Sequence, residues 1–124
     1  MQNYSKRILI VDDEPDITYT WKKVLEEDGL TVHTFNDPLL ALSNFKANLY
    51  DLLLIDISMP LMSGFEFYRK IREKDKEVKV CFITAFEIYR DQFGQLPKSN
   101  LLQFVRKPIE IEELTRLVRD VFRT

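Results

Sequence analysis

The sequence predicts a doubly wound α/β domain, a five-stranded parallel sheet with helices on both faces. Two observations carry this expectation: short solid apolar runs recur along the chain, and stretches of helical period fill the intervals between them. Strands that alternate with helices imply right-handed crossovers, and these produce a parallel sheet covered on both sides.

Residues 8–11, Ile-Leu-Ile-Val, make the first strand, apolar throughout as a strand buried on both faces must be. Residues 15–28 follow as a helix, with Ile17, Trp21, Val24 and Leu25 at helical spacing and Gly29 as the C-terminal stop. A weaker strand covers 31–35. Asn36 or Asp37 caps a second helix that has Pro38 in its first turn and Leu39, Leu42 and Phe45 on one side. The next strand is 52–55, Leu-Leu-Leu-Ile, and a third helix fits 65–74. Residues 78–84 and 101–105 resemble the first strand in being continuously apolar. Between them lies a short helical pattern at 87–93 and a loop at 94–100, the least regular part of the chain. The last helix spans 110–123 with Ile111, Leu114, Val118, Val121 and Phe122 facing inward. Its acids Glu110, Glu112 and Glu113 open the helix while Arg119 and Arg123 close it, as the helix dipole favours.

The length of 124 residues predicts one domain, 1–124, large enough to fold without a disulfide or a metal. The single Cys81 excludes a disulfide framework and a Cys-based zinc site. With 18 Lys and Arg against 20 Asp and Glu, the net charge of -2 argues against direct nucleic-acid binding and against an anionic membrane surface. The N-terminal apolar run is far too short for a signal peptide or a spanning helix, so no membrane insertion and a cytoplasmic location are expected. The three glycines, Gly29, Gly64 and Gly94, are too scattered for a dinucleotide fingerprint or a P-loop. His33 has no Cys or His partner in the pattern, Cys81 sits in an apolar strand, and Trp21 lies on a core period; packing is the default for the last two.

In open parallel sheets, ligands bind outside the carboxyl ends of the strands. The residues there are Asp12 and Asp13, Asp56, Thr84, and Lys107-Pro108. Each alone suits a turn or a cap, but together they bring three carboxylates opposite one lysine and one threonine. Carboxylates 4 Å apart repel by about 4 kcal/mol per pair at an effective dielectric near 20, so a cation must sit among them. Oxygen-only donors select a hard ion, and a site open on one side suits Mg²⁺. An anion at home between Mg²⁺ and a lysine is a phosphoryl group.

Val11-Asp12-Asp13-Glu14-Pro15, Asp56-Ile-Ser-Met-Pro60 with Gly64, Ile83-Thr84-Ala85 and Val105-Arg-Lys107-Pro108 together resemble the receiver domain of two-component response regulators, over essentially the whole chain. The resemblance implies the flavodoxin-like arrangement and a signalling role rather than an enzyme's. Asp56 would accept a phosphoryl group from a histidine kinase, a phosphotransfer protein or a small donor. Asp13 and Asp56 would bind Mg²⁺ directly, with Asp12 acting through water and the Ser58 backbone carbonyl completing the set. Lys107 would pair with the phosphoryl oxygens, and the Lys107-Pro108 bond would be cis. Thr84 would move to hydrogen-bond the group, opening space for the switch aromatic Phe104. Two charge-assisted hydrogen bonds of about 1.5 to 3 kcal/mol each supply most of the roughly 5.5 kcal/mol that such a two-state shift requires.

Phe104 stands where many members carry Tyr, so packing alone would set its ring state. Ser58 and Phe86 occupy the variable positions that control access of the attacking water, and a bulky Phe86 implies slow self-dephosphorylation. The 94–100 stretch lacks the Ala and Gly pattern common in relatives, which leaves the shape of the preceding helix open. The face made by that fourth predicted helix, the fifth strand and the fifth predicted helix is where receivers dock effectors or a second copy. Phe86, Tyr89 and Phe93 belong either to it or to the core. Two other functions compete: a Mg²⁺-dependent phosphohydrolase with Asp56 as nucleophile, and a binding module that is never phosphorylated. The first needs a second acid two residues after Asp56, where Ser58 stands.

Overall fold

The computed structural model describes residues 5–85 and 100–123. In them strands and helices alternate: β1 (Arg7–Val11), α1 (Pro15–Glu27), β2 (Thr31–Phe35), α2 (Pro38–Asn44), β3 (Leu52–Asp56), α3 (Gly64–Lys74), β4 (Lys79–Thr84), β5 (Leu101–Arg106) and α4 (Ile111–Phe122). All pairings are parallel, in the order β2-β1-β3-β4-β5. The chain leaves β1 for one edge, then returns to build β3 on its other side. That reversal opens a crevice beyond the ends of β1 and β3.

The solid apolar runs are explained by two cores, one on each face. Leu9, Val11, Leu53 and Ile55 join α2 and α3 side chains in one cluster; Ile8, Ile10, Leu52 and Leu54 join Trp21 and Leu25 of α1 and Leu114, Leu117 and Val118 of α4 in the other. Burying each such side chain contributes about 1.5 to 3 kcal/mol, so the central strands anchor the fold. Phe82 of β4 meets Phe65 and Tyr68 of α3 edge-on, with centroids 5.1 and 5.4 Å apart, which seats α3 on the sheet.

Local chemistry sets the helix ends. Pro15 opens α1, and Gly29, at φ +91°, supplies the left-handed turn after it. Of the two cap candidates for α2, Asp37 accepts from Leu39 N–H at 2.8 Å. Ser63 caps α3 through Glu66 N–H at 3.2 Å. Asp75, buried after α3, accepts the backbone N–H groups of Asn48, Glu77 and Val78 at 2.9, 2.9 and 3.1 Å and so ties two loops together. Burial raises its pKa, but these donors outweigh it and the carboxyl lies below its usual value.

Three expectations need correction. β5 is not buried on both faces: it pairs only with β4 among the described residues, and Leu102 and Gln103 are exposed, as suits an edge strand. Leu39 points to solvent, and Pro38 and Ala41 are buried in its stead, while Leu42 and Phe45 pack against the core as expected. Ile111 is exposed, lying in the first turn of α4; Leu117, missing from the expected stripe, takes its place in the core. The helix at 87–93, most of the 94–100 loop, and Phe86, Tyr89 and Phe93 lie outside the described residues.

Candidate functional site

Asp12 and Asp13 follow β1 directly, and Asp56 is the last residue of β3. Because β1 and β3 are neighbours in register, Val11 pairing Ile55, their ends bring the three acids together. One carboxylate oxygen from each lies within 4.8 Å of the others. Asp12 and Asp56 are buried and Asp13 is half-buried. The crowding shows in Asp56: burial, and then the charge of Asp12, push its carboxyl up to about 7, against the opposing pull of Lys107 and the Ser58 N–H. Asp12 is raised as well, chiefly by burial, with Lys107 pulling the other way.

Lys107 follows β5, and its ammonium enters the nest from the far side. Nζ is 2.7 Å from Asp12 Oδ2, 3.2 Å from Glu14 Oε1 and 3.6 Å from Asp56 Oδ2. Burial alone would lower the lysine pKa, but the surrounding carboxylates reverse this and hold it above the usual value. Asp12 Oδ2 is buried, and the Lys107 ammonium is its close partner. One ammonium therefore opposes three buried or half-buried acids and a fourth at the rim. A hard cation would complete the balance, since every donor of the cluster is a carboxylate oxygen.

The remaining expected residues stand around this nest. Thr84, fully buried, ends β4; its carbonyl accepts from Lys107 N–H at 2.6 Å, which fixes the backbone carrying the lysine. The Lys107-Pro108 peptide is cis. Ser58 is exposed, and its backbone N–H donates to Asp56. Phe104 is half-buried, its ring 6.3 Å from that of Phe82 at 56°. Thr84, Ser58 and Lys107 lie at one end of the sheet, as expected from their positions at or after the strand ends, while Phe104 lies within β5, paired with Phe82.

Three positioning residues were not singled out as part of the site. Asn36 Nδ2 donates to the Asp12 carbonyl at 2.8 Å and to Thr18 Oγ1 at 2.9 Å, joining the acid-bearing turn to α1. The sequence signals only a cap candidate there, because the contact spans 24 residues. Gly64 N–H donates to the Ile57 carbonyl at 2.9 Å, so α3 starts against the end of β3. A methyl group at Gly64 would run into the Asp56 carbonyl and sit 2.8 Å from Ile57 Cα, which is why no side chain fits. Glu14, legible in the sequence only as part of the Val11–Pro15 motif, reaches Lys107.

On the β2 edge, a cavity of about 420 Å³ holds none of the expected site residues. His33 belongs to it, with Nδ1 2.8 Å from the Tyr50 hydroxyl. Cys81 is buried, and desolvation pushes its thiol up to about 12, so it packs as a neutral side chain.

Residues 8–119 match the family model of the response regulator receiver domain. The chain is 33% identical over 117 residues to the transcriptional regulatory protein TrcR of Mycobacterium tuberculosis, covering 94% of this chain and 45% of TrcR. It is 30% identical over 118 residues to the transcriptional regulatory protein PcoR of Escherichia coli, covering 95% and 52%. It thus spans about half the length of these relatives. Among solved structures it is similar to the response regulator TrrA of Thermotoga maritima in complex with Mg²⁺ and beryllofluoride, at 37% identity and a TM-score of 0.79, covering 94% and 99%. It is likewise similar to TrrA in complex with the histidine kinase ThkA, at 36% identity and a TM-score of 0.77, covering 95% and 99%.

Proposed function

The chain belongs to the response regulator receiver domain family, and we propose that Asp56 is its phosphoacceptor, with Lys107, Thr84 and the acids Asp12 and Asp13 as its working parts. The observation that carries this reading is the Lys107 ammonium placed between Asp12 and Asp56 at the mouth of the crevice. Mg²⁺ fits the acid cluster, whose donors are all carboxylate oxygens within 4.8 Å of one another. Asp12, Asp13 and Asp56 would hold it, with the Ser58 carbonyl as a further ligand, and it would supply positive charge to the transferring phosphoryl group. That the similar TrrA binds Mg²⁺ with beryllofluoride supports the same ion here.

The protein's own groups then have distinct tasks. An Asp56 carboxylate oxygen forms a bond to phosphorus as the donor's bond to it breaks, leaving an aspartyl phosphate. A protonated Asp56 is a poor nucleophile; burial and the charge of Asp12 raise its pKa to about 7, so positive charge placed beside it favours the ionised form. Lys107 turns from its carboxylate partners to a phosphoryl oxygen. Thr84, buried one strand away, donates its hydroxyl to another, and Phe104 follows the space this opens. The donor would be a histidine kinase or a phosphotransfer protein, as TrrA's complex with ThkA suggests, and such ATP-fed partners put the exchange in the cytoplasm. The output would pass to an effector or a second copy at the β5 and α4 face. The domain would extend over residues 1–124.

A hydrolase built on the same nucleophile needs an acid to protonate the leaving group, and exposed Ser58 offers none. The test is intact mass after incubation with acetyl phosphate and magnesium chloride. Wild type gains one phosphoryl group; Asp56→Asn and chelator-treated protein gain none. Catalytic release of phosphate from excess phosphoester would favour the hydrolase instead.

A further inference from the structure

We propose that Glu14 is a positioning residue that competes with phosphorylated Asp56 for the Lys107 ammonium and so tunes the stability of the phosphorylated state; this rests on the reading of Asp56 as phosphoacceptor. Glu14 is the N-cap of α1, yet its side chain makes no cap hydrogen bond. Instead Oε1 accepts from Lys107 Nζ at 3.2 Å, across 93 positions of the chain. Its backbone N–H donates to Asp12 Oδ1 at 2.9 Å, which fixes the base of the side chain beside the nest.

An ammonium has three donors. Three carboxylates surround this one, and Asp56 is the most distant at 3.6 Å. A phosphoryl group on Asp56 adds negative charge and strong acceptor oxygens, so it draws Lys107 toward position 56 and away from its two nearer partners. Releasing Asp12 would strand a charge whose side chain is 2% exposed, whereas Glu14, at 59%, returns to water readily. Glu14 is therefore the contact surrendered. Its charge also faces the incoming anion, so its presence weakens the modified state twice over. Solvent screening keeps the effect moderate.

The experiment compares wild type, Glu14→Gln and Glu110→Gln at saturating magnesium chloride. Beryllofluoride affinity is measured by calorimetry, and proton exchange of the Lys107 ammonium by ¹⁵N NMR without beryllofluoride. Glu14→Gln is expected to bind beryllofluoride about two- to fivefold more tightly and to exchange Lys107 protons faster, while Glu110→Gln, an exposed acid ahead of α4, changes neither. Equal affinity in wild type and Glu14→Gln, unchanged Lys107 exchange, or an equal gain in Glu110→Gln would overturn the proposal alone. Wild type that binds no beryllofluoride would overturn the phosphoacceptor reading, and this proposal with it.

Discussion

Asn36 holds Asp12 by its backbone: the Asn36 amide donates to the Asp12 carbonyl at 2.8 Å and, with its other reach, to Thr18 on α1 at 2.9 Å. The end of β1, the end of β2 and the first turn of α1 are thereby joined at one side chain. Asn36→Ala removes both bonds, and a loss of about 1 to 2 kcal/mol in urea unfolding is expected. The acid-bearing turn loosens with it, so Mg²⁺ affinity by calorimetry falls severalfold while the far end of the sheet keeps its amide exchange protection.

Asp56 makes the ion-free protein sensitive to pH on the neutral side. Its folded pKa of about 7 exceeds the ordinary 3.8, so the folded state holds the proton more tightly than the unfolded chain. Stability is therefore greatest below the unfolded value and is lost as pH rises from about 4 to about 7, by on the order of 2 to 4 kcal/mol. Denaturant titrations in chelator are expected to show this slope in wild type and a flattened one in Asp56→Asn, which is the more stable of the two at pH 7.5.

Asp75 acts in the opposite sense. Its three backbone donors hold its pKa below the usual value, so its contribution is present above the unfolded pKa and disappears as pH falls through the folded one. Asp75→Asn, which keeps one acceptor oxygen and loses the charge, is expected to cost about 2 kcal/mol at neutral pH. The same unfolding series, extended into acid, should show the variant losing less stability than wild type there.

Leu61 stands in a strained turn. Its φ is +73°, Met62 N–H donates to the Pro60 carbonyl at 2.8 Å, and its side chain projects into water at 75% exposure. This is a three-residue γ-turn in a backbone region that costs a residue with a Cβ about 1 to 2 kcal/mol. Leu61→Gly gives up little buried surface and relieves that strain, so it is expected to raise the unfolding midpoint; a lowered midpoint would mean that the exposed leucine makes contacts that outweigh the strain.

How much of this was legible beforehand follows from the range of each interaction. The central strands declare themselves because residues 8–11 and 52–55 must be apolar on both faces, and the acids after them mark the site because strand ends converge in a parallel sheet. β5 looked the same in sequence, yet its place at the edge is a matter of topology, which no local run encodes. Ile111 and Leu117 exchanged roles because a helical stripe does not reveal where the sheet beneath it ends. Asn36 was readable only as a cap candidate and Glu14 only as part of the motif after the first strand, since their partners Asp12 and Lys107 are brought near by the fold rather than by spacing.

The account turns on Asp56 as the covalent acceptor, and mapping the bond tests that most directly. Protein treated with acetyl phosphate and magnesium chloride, reduced with borohydride and digested, should yield a homoserine at position 56 and nowhere else, since borohydride converts an aspartyl phosphate to that residue. A homoserine at position 12 or 13, or none in protein whose intact mass has gained a phosphoryl group, would contradict it.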